Sequence, residues 1–255
     1  NYYRSSDMLL SISKQTYGIN KRILSKYGYE DWQTQYVPHG ISDKRIFKIE
    51  DKGDTKFREF EQKQGLDKYK FKILYLNRTL DYHLKLQLKL TPEQQKECVL
   101  VWHAAPSDEN GTDMRALCKT LLPEYPVIFT HDNHPNGSFT DEDMNYIFNS
   151  CDVYINMASN EGFGLGSLEA LTVGTPIVVN VTGGLQDQCG FKKKVWTKAE
   201  DGTMSSEDVY LTAEDYVELK SNHRGEYKEH GEWVKPVFPS NISLQGSPMT
   251  PYIFD

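Results

Sequence analysis

The amino-acid sequence predicts an α/β protein with a mostly parallel sheet that is covered by helices on both faces. From Phe71 onward, short runs rich in leucine and β-branched residues alternate with segments whose apolar residues recur at helical spacing. Strands that alternate with helices are typical of crossover units, which join parallel strands. The predicted strands cover residues 71–77, 99–103, 126–131, 152–157 and 176–181.

Two helices are predicted between these strands, over residues 112–122 and 140–151. Both segments carry apolar residues at the spacing of one helix face. Thr140 is a candidate N-cap, and the three residues after it are acidic. Acidic side chains in a first turn interact favourably with the helix dipole, so we expect the second helix to begin there.

The stretch between the first two predicted strands departs from this pattern. Leucines at alternate positions from 84 to 90 have the two-residue period of a strand, where a crossover helix is expected. We assign no element to residues 78–90 and predict a turn over 91–97. After about residue 192 the periodicity fades, and we predict one helical stretch at 212–222 and a loop over 236–251.

Composition excludes several classes of protein. The 255 residues suffice for one large domain, or for one complete domain and part of another. No apolar stretch approaches the roughly 20 residues of a membrane helix, so no spanning segment is predicted.

The net charge of −7 gives no positive field that would favour nucleic acid. The cysteines have the spacing of neither a zinc site nor a disulfide framework, which predicts reduced thiols in a cytoplasmic protein. They are Cys98, Cys118, Cys151 and Cys189.

A glycine-rich segment at residues 158–174 lies directly between two predicted strands. Its glycines let the backbone turn sharply, and the Leu, Glu and Ala residues that follow favour a short helix. The free N–H groups of that helix would face the carboxyl edge of the sheet, where open parallel sheets bind ligands. This arrangement suits an anion such as a diphosphate.

Two carboxylates, Glu161 and Glu169, flank this turn. A carboxylate offers two acceptor oxygens, which suits the vicinal hydroxyls of a ribose or a hexose. Spacing alone leaves a second interpretation equally open, in which both are solvated surface residues.

The string at 161–171, EGFGLGSLEAL, resembles the donor-site motif of retaining glycosyltransferases of family 4, which have the two-domain GT-B fold. Residues 171–184 resemble the family's next strand and double-glycine loop, which here is Gly183 and Gly184. Residues 150–160 resemble the strand that leads into the motif, and residues 37–47 resemble the interdomain linker. The resemblance implies a Rossmann-like domain that binds a nucleotide sugar.

The resemblance also implies roles for individual residues. Glu169 would bind the ribose hydroxyls of the nucleotide, and Glu161 would contact the hydroxyls of the transferred sugar near the reacting carbon. Arg78 would neutralise the diphosphate leaving group, and Lys85 is the nearest candidate for the lysine that the family supplies a few positions later. The turn whose backbone would hold the diphosphate and sugar consists of Gly162, Phe163, Gly164 and Leu165.

Three histidines follow predicted strands at the carboxyl edge, at positions 103, 131 and 134. His131 and Asp132 open a loop that resembles the family's nucleobase-contacting loop. A polar loop without a ligand is an equally open interpretation. A zinc site is disfavoured because no third ligand has suitable spacing. The family usually needs no bound metal, so the resemblance implies that no metal and no cofactor are required.

The resemblance implies a division into three parts. Residues 1–40 would be the last strand and helix of an N-terminal acceptor domain with the linker, 41–200 the nucleotide-sugar-binding domain, and 201–255 a C-terminal helix and irregular tail. The chain starts without an initiator Met and is already apolar by residue 8, so most of the acceptor domain is expected to be missing.

The expected activity is that of a hexosyltransferase, which moves a sugar from a UDP or GDP sugar to a hydroxyl of a glycan, lipid or protein. Whether this segment is active alone stays open. Two alternatives remain: a nucleotide-sugar-binding module without catalysis, and a nucleotide-sugar epimerase of the same fold.

Overall fold

The computed structural model describes residues 5–76, 90–107, 113–134, 138–244 and 252–254. The chain forms two compact units. The first unit consists of Asn1–Gly40, Ala158–Leu165 and Val179–Asp255, and the second of Ile41–Met157 and Gly166–Val178. The three-part division expected from the sequence stays a prediction.

Strands and helices alternate along the middle of the chain, as the sequence predicts. The described strands are β1 (Leu9–Ser11), β2 (Thr34–Tyr36), β3 (Phe71–Tyr75), β4 (Cys98–Trp102), β5 (Val127–Phe129), β6 (Val153–Asn156), β7 (Ile177–Asn180), β8 (Lys192–Lys198), β9 (Met204–Tyr210), β10 (Val234–Val237), β11 (Ile242–Leu244) and β12 (Tyr252–Phe254). The described helices are α1 (Lys14–Leu24), α2 (Thr55–Gln64), α3 (Pro92–Glu97), α4 (Met114–Leu121), α5 (Asp141–Ser150), α6 (Leu165–Thr172), α7 (Leu185–Gln188) and α8 (Asp215–Leu219).

The central sheet has six strands in the order β10, β7, β6, β3, β4, β5. Strand β3 pairs in parallel with both β4 and β6, and β4 pairs in parallel with β5. The carboxyl ends of these strands therefore lie along one edge of the sheet. The five strands predicted from apolar runs are confirmed as β3 to β7, and the α/β fold class is confirmed with them.

Large aromatic side chains form the core of the second unit along neighbouring strands. Tyr75 and Trp102 are almost completely buried, and their ring centroids lie 5.0 Å apart in an edge-to-face arrangement. Trp102 in turn stacks on Phe129 at 5.8 Å. Burying a ring of this size contributes about 4–6 kcal/mol gross, before the loss of chain entropy is subtracted. This packing holds β3, β4 and β5 in register.

Two predicted helices are confirmed as α4 and α5. Helix α5 begins where the sequence indicates, because the hydroxyl of Thr140 accepts from the backbone N–H of Asp143 and the Asp143 carboxylate accepts from Thr140 N–H. This reciprocal capping box satisfies N–H groups that have no partner inside the helix. It fixes the start of α5.

The turn predicted over 91–97 is wrong, because Pro92–Glu97 form the short helix α3. Thr91 is its N-cap, Gln94 completes a capping box, and proline occupies the first turn, where its missing N–H costs nothing. The same proline and polar residues that suggested a turn therefore start a helix. Most of the leucine-spaced segment, residues 77–89, lies outside the described part of the chain.

The prediction for the C-terminal region is wrong in three places. Strands β8 and β9 form an antiparallel hairpin, β10 joins the central sheet, and β11, which lies within the stretch expected to be a loop, pairs with β12. Both strands of the hairpin are largely exposed, so neither shows the apolar alternation that predicts a half-buried strand. The helix predicted at 212–222 is confirmed only as the shorter α8.

The N-terminal part of the first unit contains a small parallel sheet. Strands β1 and β2 pair in parallel, and α1 connects them. The hydroxyl of Ser13 caps α1 by accepting from Thr16 N–H. Helix α1 packs against α8, so the first and last parts of this unit are joined.

The cysteines and the helix lengths bear on two further predictions. All four cysteines are free thiols, and three of them are buried; the reduced state in the cell stays a prediction. Within the described ranges, no helix has both the length and the apolar character needed to cross a membrane.

Candidate functional site

The glycine-rich turn follows the carboxyl end of β6 and leads into α6. The predicted succession of strand, glycine turn and helix is therefore confirmed. Gly164 has a φ of 87°, a conformation that favours glycine, and Phe163 is buried beside it. Because α6 begins at Leu165, its first backbone N–H groups have no acceptor within the helix.

The double-glycine loop packs directly against the backbone of this turn. Gly184 N–H donates to the carbonyl oxygen of Glu161 at 2.8 Å. A Cβ atom at Gly183 would lie 2.2 Å from the same oxygen, and one at Gly184 would lie 2.3 Å from the carbonyl oxygen of Gly162. Only glycine allows this contact, so the two glycines fix the position of Glu161 and Gly162.

Side chains from β7, from α7 and from the loop between them contact both ends of the same turn. Thr182 Oγ1 donates to the carbonyl oxygen of Ala158 at 3.1 Å, and Asn180 Nδ2 donates to the same oxygen at 3.3 Å. Gln188 Nε2 donates to the carbonyl oxygen of Phe163 at 3.4 Å. The carbonyl groups of the turn are thereby engaged, which orients its backbone.

Residues of the N-terminal segment contact the turn within the first unit. The ring of His39 meets the ring of Phe163 edge to face, with centroids 5.2 Å apart. A Cβ atom at Gly162 would be in ordinary contact with Ile12 Cδ1 at 3.5 Å. His39 lies in the segment that resembles the family's interdomain linker, and no role in the site was expected for it. The adjacent Pro38 and Gly40, which are typical of a turn, are the feature of the sequence that could have drawn attention to His39.

Glu169 lies about one turn into α6, and its side chain is only 13% exposed. Burial raises the pKa of its carboxyl group, and the positive charge of Arg45 acts in the opposite direction. Arg45 Nη2 lies 3.8 Å from Glu169 Oε1, while Arg45 Nε lies 2.8 Å from Asp141 Oδ1. Arg45 was not expected in the site, because it lies far from Glu169 in the sequence and no motif includes it.

A cluster of histidines lies at the carboxyl edge of β4 and β5. His103 and His131 follow these strands, and their ring centroids are 5.1 Å apart. Phe139 packs against both rings, at 4.6 Å and 4.8 Å. Burial, together with His131 and His134, lowers the pKa of His103 to about 4. His103 is therefore neutral at physiological pH, and its Nδ1 lies 2.8 Å from Thr130 Oγ1.

Asp132 is engaged by Arg115 through both carboxylate oxygens, and Arg115 Nη1 donates to Asp132 Oδ2 at 2.9 Å. Both oxygens of its carboxylate thus accept from one guanidinium, which fixes the side chain of Asp132. Nearby, His134 Nε2 lies 3.5 Å from Asp143 Oδ2.

The remaining expectations concern metal ligands and the diphosphate-binding bases. In the parts of the chain that the structure describes, no three His, Cys, Asp or Glu side chains are grouped so as to hold a metal ion. Arg78 and Lys85 lie outside the described residues. In the first unit, Phe163 lies beside the double-glycine loop. In the second unit, Glu169 lies near Arg45, and the histidine cluster is a separate feature of the same unit.

A glycine turn and a helix N-terminus that follow a strand of a parallel sheet are the arrangement of a Rossmann-like α/β protein. Comparison of the sequence with known families specifies the class. The model of the family "Glycosyl transferases group 1" matches residues 56–228, which is more than half of the chain. The chain belongs to this family.

Individual relatives are more distant. The chain is 26% identical over 191 residues to mannosylfructose-phosphate synthase of Agrobacterium fabrum, a match that covers 72% of this chain and 39% of that protein. The chain therefore matches about two fifths of the length of this curated relative.

Two solved structures have a similar fold. HepE of Anabaena, in complex with UDP and glucose, aligns with a TM-score of 0.52 at 13% identity, covering 88% of this chain and 55% of HepE. The α,α-trehalose 6-phosphate synthase of Burkholderia multivorans aligns with a TM-score of 0.50 at 13% identity, covering 71% of this chain and 45% of the synthase. The chain shares the GT-B fold of these proteins over that part.

Proposed function

We propose that this chain binds a nucleoside diphosphate sugar and is the donor-binding part of a retaining hexosyltransferase. The reaction would transfer the sugar to a hydroxyl group of an acceptor with retention of configuration at the anomeric carbon. Membership in the glycosyltransferase family supports the general activity. The glycine-rich turn supports the donor class.

The observation that carries the proposal is the geometry of this turn. The carbonyl groups of Ala158, Glu161 and Phe163 accept hydrogen bonds from the double-glycine loop and from side chains, which restrains the backbone of the turn. The N–H groups at the start of α6 are the complementary donors, and they carry the positive end of the helix dipole. A diphosphate matches such a set of fixed donors in charge and size.

The flanking residues take the roles that the family resemblance implies. Glu169 would accept hydrogen bonds from ribose hydroxyls, and Glu161 would contact the transferred sugar. The backbone of the loop at His131 and Asp132 would contact the nucleobase, which agrees with the engagement of the Asp132 carboxylate by Arg115. Arg78 and Lys85 would neutralise the diphosphate.

The chemistry then requires stabilisation of the leaving group more than a catalytic base. As the glycosidic bond breaks, negative charge builds up on the diphosphate, where the guanidinium of Arg78 and the amides of the turn stabilise it. The departing phosphate takes the proton of the acceptor hydroxyl. No metal or cofactor is needed in this scheme, since basic groups and the helix dipole supply the positive charge.

The proposal also specifies the nucleobase of the donor, the acceptor and the cellular location. HepE was solved with UDP and glucose, so UDP sugars are the first donors to test, followed by GDP sugars. The acceptor is a glycan, lipid or protein hydroxyl that the complete protein would bind. Free thiols fit a cytoplasmic location.

Calorimetry tests the proposal with the variant Glu169→Ala. Loss of a charged acceptor of ribose hydroxyls should weaken UDP or GDP binding by about 1–3 kcal/mol. The matched control is Glu50→Ala, which removes an exposed glutamate paired with Lys48 and should leave affinity unchanged. If the wild-type chain bound none of the nucleoside diphosphates or their sugars, the proposal would be wrong.

A second pair of variants separates the two proposed catalytic residues. Arg78→Ala should reduce both nucleoside diphosphate affinity and turnover of the donor, because the guanidinium contacts the diphosphate in the ground state and in the transition state. Glu161→Ala should spare nucleoside diphosphate affinity and reduce turnover only. Equal loss of diphosphate affinity in both variants would contradict this division of roles.

A further inference from the structure

We propose that Arg45 is a positioning residue for the donor site, which holds the Glu169 carboxylate ionised and ready to accept hydrogen bonds from the donor's hydroxyls. The inference rests on the proposed function for the identity of the ligand. Its electrostatic part concerns only residues of the second unit and is testable without a ligand.

The backbone around Arg45 is fixed by its neighbours. Arg45 N–H and Ile46 N–H both donate to the carbonyl oxygen of Ser42 at 3.0 Å, which closes a tight turn. The side chain of Ile46 is completely buried. Arg45 thus emerges from an anchored segment, although its own side chain is half exposed.

Two asparagines of α5 hold the chain that follows. Asn145 Oδ1 accepts from Phe47 N–H at 2.9 Å, and Asn149 Oδ1 accepts from Ile49 N–H at 2.8 Å. Asn149 Nδ2 donates back to the carbonyl oxygen of Phe47 at 2.9 Å. Residues 47–49 therefore run along α5, and Arg45 is placed at the N-terminal end of that helix.

Asp141, the first residue of α5, fixes the guanidinium itself. Its Oδ1 lies 2.8 Å from Arg45 Nε, and Nη2 of the same guanidinium lies 3.8 Å from Glu169 Oε1. The Thr140 capping box sets the position of Asp141 by fixing where α5 begins. The orientation of Arg45 thus follows from a helix cap on another part of the chain.

The distance between Arg45 and Glu169 lets the arginine stabilise the ionised carboxylate without forming a hydrogen bond that would compete with a ligand. At 3.8 Å, Arg45 Nη2 is beyond hydrogen-bond distance from Glu169 Oε1, so it does not occupy that acceptor. Its charge still favours the ionised carboxylate, against the effects of burial and of the negative charge on Asp141. A carboxylate that is charged and has available lone pairs is what a vicinal diol requires.

The first test measures the titration of Glu169 in the ligand-free chain by carboxyl-carbon NMR, with the signal assigned from Glu169→Gln. In Arg45→Ala the midpoint should move to higher pH, and in Arg45→Lys it should return toward the wild-type value. Lys48→Ala, which removes a positive charge paired with Glu50 on the same segment, is the control and should leave the midpoint unchanged. An unchanged midpoint in Arg45→Ala would overturn the inference.

The second test measures UDP affinity across pH by calorimetry. Arg45→Ala should weaken binding by up to about tenfold at acidic pH, where Glu169 of the variant is protonated and that of the wild type is still largely ionised, a typical coupling between neighbouring charged groups. The ratio of variant to wild-type Kd should increase as pH falls, because Glu169 of the variant becomes protonated first. The titration of UDP itself is common to both proteins and cancels in the ratio. A ratio that is constant with pH would indicate a merely structural role and overturn the inference.

The two tests fail in distinguishable ways. If wild-type protein bound UDP and Glu169→Ala lost affinity while Arg45→Ala did not, the inference would be wrong and the proposed function would stand. If no nucleoside diphosphate bound to the wild-type chain, the proposed function would be wrong, and the NMR titration alone would decide whether Arg45 charges Glu169. Circular dichroism of each variant checks that it is folded.

Discussion

Glu161 and Glu169 are held in place by different kinds of interaction. Glu161 is fixed through its backbone, against which Gly183 and Gly184 pack so closely that no side chain fits. Glu169 is adjusted through side-chain charge, by Arg45 and Asp141. A position built from backbone contacts tolerates almost no substitution. One built from side-chain charges changes gradually, with pH and with the choice of side chain.

The largest effect is expected for Gly183→Ala, which would disrupt the backbone-held region, meaning the glycine-rich turn at Glu161 and the double-glycine loop packed against it. The new Cβ would lie 2.2 Å from the carbonyl oxygen of Glu161, and the residue has a φ of 45° that L side chains rarely adopt. The clash and the strain together should lower the free energy of unfolding by about 4 kcal/mol. Denaturant unfolding followed by circular dichroism measures this loss.

The control for this variant is Gly28→Ala in the same unit. Gly28 also has a positive φ, of 75°, but a Cβ there would meet nothing within 4 Å. Only the conformational strain remains, which costs about 1 kcal/mol. Equal losses in the two variants would show that backbone contact with Glu161 is not what makes Gly183 necessary.

The second-largest effect is a pH dependence of stability caused by Asp187. This buried carboxyl group follows the double-glycine loop in the sequence. Asp187 Oδ2 accepts from Lys14 N–H and from the hydroxyl of Tyr36, both at 2.9 Å. Burial raises the pKa of Asp187 to about 6. The unfolded chain has the ordinary value of about 3.9. Between these two values the folded state binds more protons, so stability falls as pH rises through this window.

Asp187→Asn cannot ionise and should escape this loss. Relative to wild type, the variant should gain about 3 kcal/mol in free energy of unfolding between pH 4 and pH 7, as expected for a pKa difference of about two units. The measurement is urea unfolding at both pH values. A difference between the two proteins that stays constant with pH would contradict the assignment of Asp187 as a buried ionisable group.

The smallest of the three effects concerns the charge-held region, meaning Glu169, Arg45 and the segment that follows Arg45 along α5. Asn149→Ala removes the acceptor of Ile49 N–H and the donor to the Phe47 carbonyl oxygen. Leaving these backbone groups without partners should cost about 2 kcal/mol. Thermal unfolding measures the loss, and Gln62→Ala, at an exposed position of α2, should change stability little. A neutral Asn149→Ala would mean that α5 does not hold this segment.

The backbone-held region could be predicted from the sequence, whereas the charge-held region could not. Glycines and a helix-forming run are adjacent in the chain, so the turn and α6 follow from local conformational preference. Arg45 contacts Glu169 only because the chain folds back along α5, and nothing near either residue in the sequence indicates that. The Asn145 and Asn149 side chains that bring this about look like ordinary polar helix residues.

The same distinction explains the errors in the fold. The buried strands β3, β4, β6 and β7 are nearly continuous apolar runs, which is the pattern expected of a sheet covered on both faces. The hairpin of β8 and β9 is exposed and has no such run. Helix α3 depends on its cap at Thr91 more than on periodicity, since its six residues are too few to show a period.

The two outermost strands of the central sheet have a consequence for self-association. At one end of the strand order, the Val237 carbonyl oxygen of β10 accepts from Val181 N–H, so the neighbouring Pro236 faces the open side of the strand. Proline has no N–H to offer there. At the other end, β5 has only three residues. An edge without a donor and an edge that is too short both resist the addition of a further strand from another molecule. The sheet is thereby protected against edge-to-edge aggregation at both ends.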